Sequence, residues 1–192
     1  MAKNIRQIQS ARDHYGIDSW GSGYFSINKN GDVCAHPEGV KTQEVNIQEV
    51  AEQVSKSGLS APFIIRFPQI IDEQLRRLHK AFADAIWNYS YTGKHFGVFP
   101  FKVNQRREFI DSICKAGAKN HYGLEVGSKT EFMAALSYQM PEKAMFICNG
   151  FKDKDYIELC FIAKAMKKNL ILSLIHIPSP RDQRGSRMPS SA

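Results

Sequence analysis

The residues best placed to do chemistry lie between positions 96 and 107, FGVFPFKVNQRR, where Lys102 sits near the end of an aromatic, β-prone run. An ammonium group in such a run is costly unless it is solvated, paired with a carboxylate or chemically converted. Glu125 and Asn149 fall near the ends of two later apolar runs, GLEV and MFICN, at spacings of 23 and 24 residues. A lysine, a carboxylate and an amide recurring at one level of a repeated unit make a candidate site.

The elements that must hold these residues alternate from residue 62 onward. PFIIRF (62–67), FGVFPFKV (96–103), HYGLEV (121–126), AMFICN (144–149) and NLIL (169–172) read as buried strands. Between them the apolar spacing predicts helices: from about Asp72 through Leu75, Leu78, Phe82, Ile86 and Tyr89; through Phe109, Ile110, Ile113 and Cys114 to Gly117; from the capping box Ser128–Glu131; and from Asp153 to Lys168. Repeated βα units with near-continuous apolar strands imply a parallel sheet, met both in open doubly wound sheets and in (β/α)8 barrels. Strand alternation puts Val98, Pro100, Lys102 and Asn104 on one face and Phe99, Phe101 and Val103 on the other. Gly123, Glu125 and Gly127 likewise share a face, so Lys102 and Glu125 are expected to point into one space. The plainer alternatives are a lysine snorkelling at a strand end or paired with a carboxylate, and an Arg66 held in an ion pair.

Ahead of this repeat, GYFSINKNGDVCAH (23–36) reads as a hairpin around Asn30-Gly31. NIQEVAEQVSKSG reads as a helix capped by Asn46 and ended by Gly58. Residues 1–60 thus form a hairpin-and-helix segment before the barrel-like part, 61–171.

Composition narrows the class. With 43% hydrophobic and 23% charged residues, the 192-residue chain has the balance of a soluble globular protein. Its apolar runs are too short to span a bilayer, and no apolar leader opens the chain, so no membrane partner is expected. Four widely spaced cysteines, Cys34, Cys114, Cys148 and Cys160, read as reduced core thiols of a cytoplasmic protein. The net charge of +7 is scattered over helix faces without a nucleic-acid motif, so no nucleic-acid partner is expected either. His36, His79, His95 and His121 show no metal-ligand spacing.

Several stretches together resemble the N-terminal part of the biosynthetic arginine decarboxylases, pyridoxal-phosphate enzymes with an alanine-racemase-like barrel. They are YGIDSWGSGYFSINKNGDVCAHP (15–37), RFPQII (66–71), GVFPFKVNQRREFI (97–110), YGLEVGSKTEF (122–132) and ICNGFKDKDYIELCFIAKAM (147–166). The resemblance implies the first four to five strands of a (β/α)8 TIM-type barrel. It implies that Lys102 carries pyridoxal 5'-phosphate and returns to it after arginine loses carbon dioxide to become agmatine, for polyamine synthesis. It also implies that Glu125, Ser128 and Asn149 lie at the cofactor. The competing readings are a helix N-cap for Ser128, and backbone satisfaction at strand ends for Asn149 and Asn104. Magnesium and a homo-oligomer with shared active sites are implied as well, although no carboxylate cluster places the metal. Related decarboxylases of ornithine, lysine or diaminopimelate, and a non-catalytic binding module, are the alternatives; WGSGYF favours the arginine branch, and the retained Lys102 disfavours the module.

After Ile171 the resemblance stops, and LSLIHIPSPRDQRGSRMPSSA (172–192) reads as translated sequencing adapter, in preference to a strand over 172–177 running into a Pro/Ser/Arg-rich tail. Three of the 26 basic and one of the 19 acidic residues lie there, leaving +5 on the rest. Four βα units do not close an eight-stranded barrel. The resemblance then implies that the phosphate-binding glycines, the carboxylate facing the pyridine nitrogen and a cysteine donated across a subunit interface lie beyond this chain. The chain is therefore expected to be an inactive fragment.

Overall fold

The computed structural model describes residues 5–39 and 44–173, so all but the first two residues of the adapter-like tail lie outside the described residues. It divides into two compact units, Met1–Arg76 and Arg77–Ala192.

The first unit opens with α1 (Ile5–Tyr15) and α2 (Ile17–Trp20), followed by β1 (Phe25–Ile27), β2 (Val33–Ala35), β3 (Val45–Asn46) and α3 (Ile47–Lys56). The strands make an antiparallel sheet in the order β1-β2-β3, with Phe25 opposite Ala35 and Ile27 opposite Val33. The hairpin is present, but Asn28 organises its loop: its Oδ1 accepts from the amides of Asn30 and Asp32, both at 2.9 Å. Only Gly31 takes a left-handed φ, +86°, so the Asn-Gly pair is not the two-residue turn that needs two such residues. Asn46 caps α3 as expected, accepting from the amides of Gln48 and Glu49. The run 62–67, expected to be a strand, pairs with no other strand among the described residues. It keeps the alternation of extended chain, with Phe63, Ile65 and Phe67 half-buried and Pro62, Ile64 and Arg66 exposed. Alternation reports extended backbone; a ladder also needs a neighbour.

The division between the units falls inside α4 (Pro68–Asn88). This helix starts four residues before the expected Asp72 because Pro68, with its fixed φ and missing amide, suits a first helical turn. Then follow β4 (Val98–Pro100), α5 (Arg107–Gly117), β5 (Gly123–Val126), α6 (Lys129–Leu136), β6 (Met145–Cys148), α7 (Lys154–Ala165) and β7 (Asn169–Leu172). All strand pairs are parallel and the order is β4-β5-β6-β7, with no reversal. A doubly wound sheet reverses its order and carries helices on both faces.

Burial is one-sided. Leu124 and Val126 of β5, and Phe146 and Cys148 of β6, are buried with Ile110 of α5, Phe132 and Ala135 of α6, and Tyr156, Cys160 and Ala163 of α7. The alternate strand residues Val98, Pro100, Glu125, Met145 and Ile147 are half-buried, and Asn169 and Ile171 are exposed. A parallel sheet covered on one face, with strands in sequential order, is consistent with a partial barrel seen before closure. Gly123 is fixed by close approach: a Cβ there would lie 1.9 Å from the Met145 carbonyl oxygen.

The asymmetry sets an expectation for unfolding in denaturant. Phe146→Ala, on the covered face, should cost about 3–5 kcal/mol. Ile147→Ala, its neighbour on the other face, should cost less than half of that. Equal losses would contradict one-sided burial.

Candidate functional site

The strand expected over 96–103 is shorter in the structure. After Pro100 the chain leaves extended geometry for a 3-10 turn, Phe101–Val103, so Lys102 does not lie on a strand and alternation does not aim it. The cause is burial of Phe101, which is 2% exposed and meets Tyr138 edge-on at 6.1 Å. Pulling that ring into the helix-side core turns the chain, and Lys102 and Val103 become exposed. The expected grouping of Phe99 and Phe101 toward the helices holds; that of Val103 does not. Lys102 stands at the C-terminal end of the sheet, and its side chain makes no hydrogen bond or ion pair to another described residue.

Glu125 and Asn149 are brought together. Glu125 lies opposite Pro100 on one side and Ile147 on the other, on the uncovered face. Asn149 follows β6; its amide donates to the Val126 carbonyl at 2.8 Å, and its side-chain Nδ2 donates to Glu125 Oε1 at 2.7 Å. The carboxylate is thereby held in one orientation at the end of β5. Ser128 is the N-cap of α6: its Oγ accepts from the Glu131 amide at 3.2 Å and contacts Thr130 Oγ1 at 3.1 Å. Asn104 Oδ1 accepts from the Arg106 amide at 3.2 Å, a local turn bond. Arg66 is exposed on the extended segment 62–67.

Two ties at this rim were not foreseen. Glu131 accepts from the Gly127 amide with Oε2 at 2.7 Å and from Gln105 Nε2 with Oε1 at 3.1 Å. Lys129 donates to Asp153 at 2.7 Å and to Asp155 at 3.0 Å, and Asp153 caps α7 through the Tyr156 amide. The S-x-x-E spacing signalled Glu131 as a helix residue, but nothing in the sequence names a partner 26 residues away. The loops after β5 and β6 also touch: Gly150, at φ +88°, leaves room for no Cβ, which would sit 2.0 Å from the Gly127 carbonyl oxygen.

The remaining nucleophile candidates are quiet. Burial pushes the Cys114 thiol up to about 11, and burial with the adjoining Glu44 carboxylate pushes Cys34 up to about 12. Burial raises Cys148 and Cys160 as well, so these thiols stay protonated at neutral pH. All four cysteines are free. His79 packs edge-on to His95 and Tyr122, and burial lowers its pKa. Among the described residues no group of three or more His, Cys, Asp or Glu could hold a metal ion, so the implied magnesium finds no fit here. A cavity of about 640 Å³ lies between α5 and the residues after α6, lined by Arg107, Asp111, Cys114 and Tyr138 and not by the rim residues.

The donor set suits one part of pyridoxal phosphate. Lys102 offers an amine without a partner among the described residues, and Glu125 offers an oriented acceptor. At the N-termini of α6 and α7, Ser128 and Asp153 each occupy one backbone amide, whereas Arg106 at the N-terminus of α5 makes no side-chain capping bond. No helix among the described residues is long and apolar enough to cross a membrane.

No protein-family model matches the chain. It is 40% identical over 158 residues to the biosynthetic arginine decarboxylase of Prochlorococcus marinus, which covers 82% of this chain and 24% of that protein. It is equally similar to the enzyme of that name from Synechococcus, over 82% of this chain and 25% of the relative. The crystal structure of the biosynthetic arginine decarboxylase of Campylobacter jejuni matches 82% of this chain and 26% of its own, at 36% identity and a TM-score of 0.75. The chain therefore spans about a quarter of the length of the relatives it matches.

The Lys129 tie has a pH signature. Its hydrogen bond, then that of the Tyr156 amide, holds the Asp153 carboxyl below the usual carboxylate range. A depressed folded-state pKa stabilises above the unfolded value and is lost as pH falls through the folded one. Lys129→Met should therefore flatten the loss of stability on acidification below about pH 4. An unchanged acid slope in thermal unfolding would contradict the tie.

Proposed function

We propose that this chain, similar over four-fifths of its length to a quarter of the biosynthetic arginine decarboxylases, is the cofactor-lysine segment of such an enzyme. The reaction is decarboxylation of L-arginine to agmatine, a lyase step feeding polyamine synthesis. The observation that carries this reading is the joint match of sequence and fold to the same enzyme, at 36% identity and a TM-score of 0.75. The position of Lys102 in the turn after β4, of Glu125 near the end of β5 and of Asn149 just after β6 supports it, because barrel enzymes build their sites at the C-terminal rim of the sheet.

Bound pyridoxal phosphate supplies an aldehyde that captures the substrate amine and an electron sink for the pair left behind by carbon dioxide. Lys102 Nζ would be the amine that holds the aldehyde of the bound cofactor. The site would keep this amine close to the reacting carbon throughout, which is the advantage of a tethered nucleophile. Glu125, oriented by Asn149, would present a carboxylate acceptor to the bound cofactor. Ser128 serves the α6 N-terminus first, and reaches the cofactor only through the loop it stabilises. The four free cysteines agree with a cytoplasmic setting.

Four strands with an uncovered face support the reading of the 192-residue chain as an incomplete catalyst. Incubated with arginine and pyridoxal phosphate, it should release no carbon dioxide. In the uninterrupted protein, arginine should be preferred over ornithine, lysine and diaminopimelate. There Lys102→Ala should abolish agmatine formation, whereas Lys154→Ala, at a side chain 88% exposed on α7, should leave it intact. Full activity in the Lys102 variant would overturn the assignment.

A further inference from the structure

We infer that Glu131 is a positioning residue for Lys102, its two carboxylate oxygens clamping the turn that carries the lysine to the loop behind Glu125. The inference rests on the reading of Lys102 as the cofactor lysine. On its N-terminal side, Lys102 is held by the buried Phe101 ring and by the pairing of Pro100 with Glu125. On its C-terminal side, the nearest tie to another element is the Gln105–Glu131 hydrogen bond. Only Val103 and Asn104 lie between, and the Asn104 side chain bonds within its own turn. An exposed turn anchored at one end frays, whereas one anchored at both keeps its shape.

Capping alone does not account for Glu131. Ser128 Oγ already satisfies the Glu131 amide. In a capping box the carboxylate would return to the N-cap residue's own amide. Here it reaches past Ser128 to Gly127, and its second oxygen crosses to Gln105 on the preceding loop. Gly127 is also the residue whose carbonyl leaves no room beside Gly150, so the clamp joins the loops after β4, β5 and β6 into one rim. A carboxylate only accepts, so the Gln105 amide must present its NH2 group.

That polarity makes the clamp testable by exchange of donor and acceptor. Glu131→Gln should be nearly silent, because the Gln105 amide can flip to receive the new NH2 group. Glu131→Ala removes both bonds. Gln105→Glu sets two carboxylates against each other. The swap Gln105→Glu with Glu131→Gln restores a donor facing an acceptor.

The experiment treats the 192-residue chain with pyridoxal phosphate and borohydride, and measures label at Lys102 relative to the exposed Lys154 as a function of pH. It also follows amide hydrogen exchange over residues 101–105. Gln105→Glu and Glu131→Ala should lower the label ratio about fivefold and speed exchange about tenfold, as expected for loss of one to two hydrogen bonds. The swap should return both readouts to within about twofold of the starting chain, as donor–acceptor rescue requires. Unchanged ratio and exchange in Gln105→Glu, or a swap without rescue, would overturn the inference. Gln105 is exposed, so its variant carries the test should Glu131→Ala not fold. If the unaltered chain shows no preferred label at Lys102, the exchange data alone decide whether the clamp exists, and the cofactor reading stands or falls on Lys102→Ala in the uninterrupted protein.

Discussion

Leu124, Val126, Phe146 and Cys148 bury one face of a parallel sheet against α5, α6 and α7, and the rest of this unit follows from that one-sidedness. In a strand, what is buried on one face fixes what stands on the other. Because Leu124 and Val126 face the helices, Glu125 faces away from them. Because Phe146 and Cys148 do so too, β6 ends with Asn149 free to reach across to Glu125. The polar rim is thus a geometric consequence of the apolar core.

The rim is then stiffened by short ties between loops. Asn149 fixes Glu125, Glu131 joins Gln105 to Gly127, and Lys129 joins the start of α6 to the start of α7. Each is modest alone, since exposed hydrogen bonds and ion pairs contribute on the order of 1 kcal/mol or less. Their value is positional: three loops that would otherwise move separately share one framework. On the proposed reading, an amine that has to hold a cofactor in one position would gain from such a frame.

Much of this was legible in the sequence where local physics decides it. The apolar runs GLEV, MFIC and NLIL became β5, β6 and β7, and Asn46, Ser128 and Asp153 cap helices where their side chains call for it. Legibility failed where a distant partner decides. PFIIRF has the composition of a strand but finds no ladder, and FKV leaves the strand because Phe101 is drawn into the core. Lys102 thus reaches the strand-end rim by a turn, not by the alternation that first drew attention to it. Of the site, the residue types were readable and their bonds were not: nothing in the letters pairs Glu131 with Gln105.

The central claim is that the amine at position 102 is the one that holds pyridoxal phosphate. The most direct measurement is peptide mapping of the uninterrupted protein after borohydride reduction of the bound cofactor. The account predicts a single stoichiometric phosphopyridoxyl group on the peptide containing residues 97–106, at Lys102. Stoichiometric label on any other lysine, with Lys102 unmodified, would contradict it.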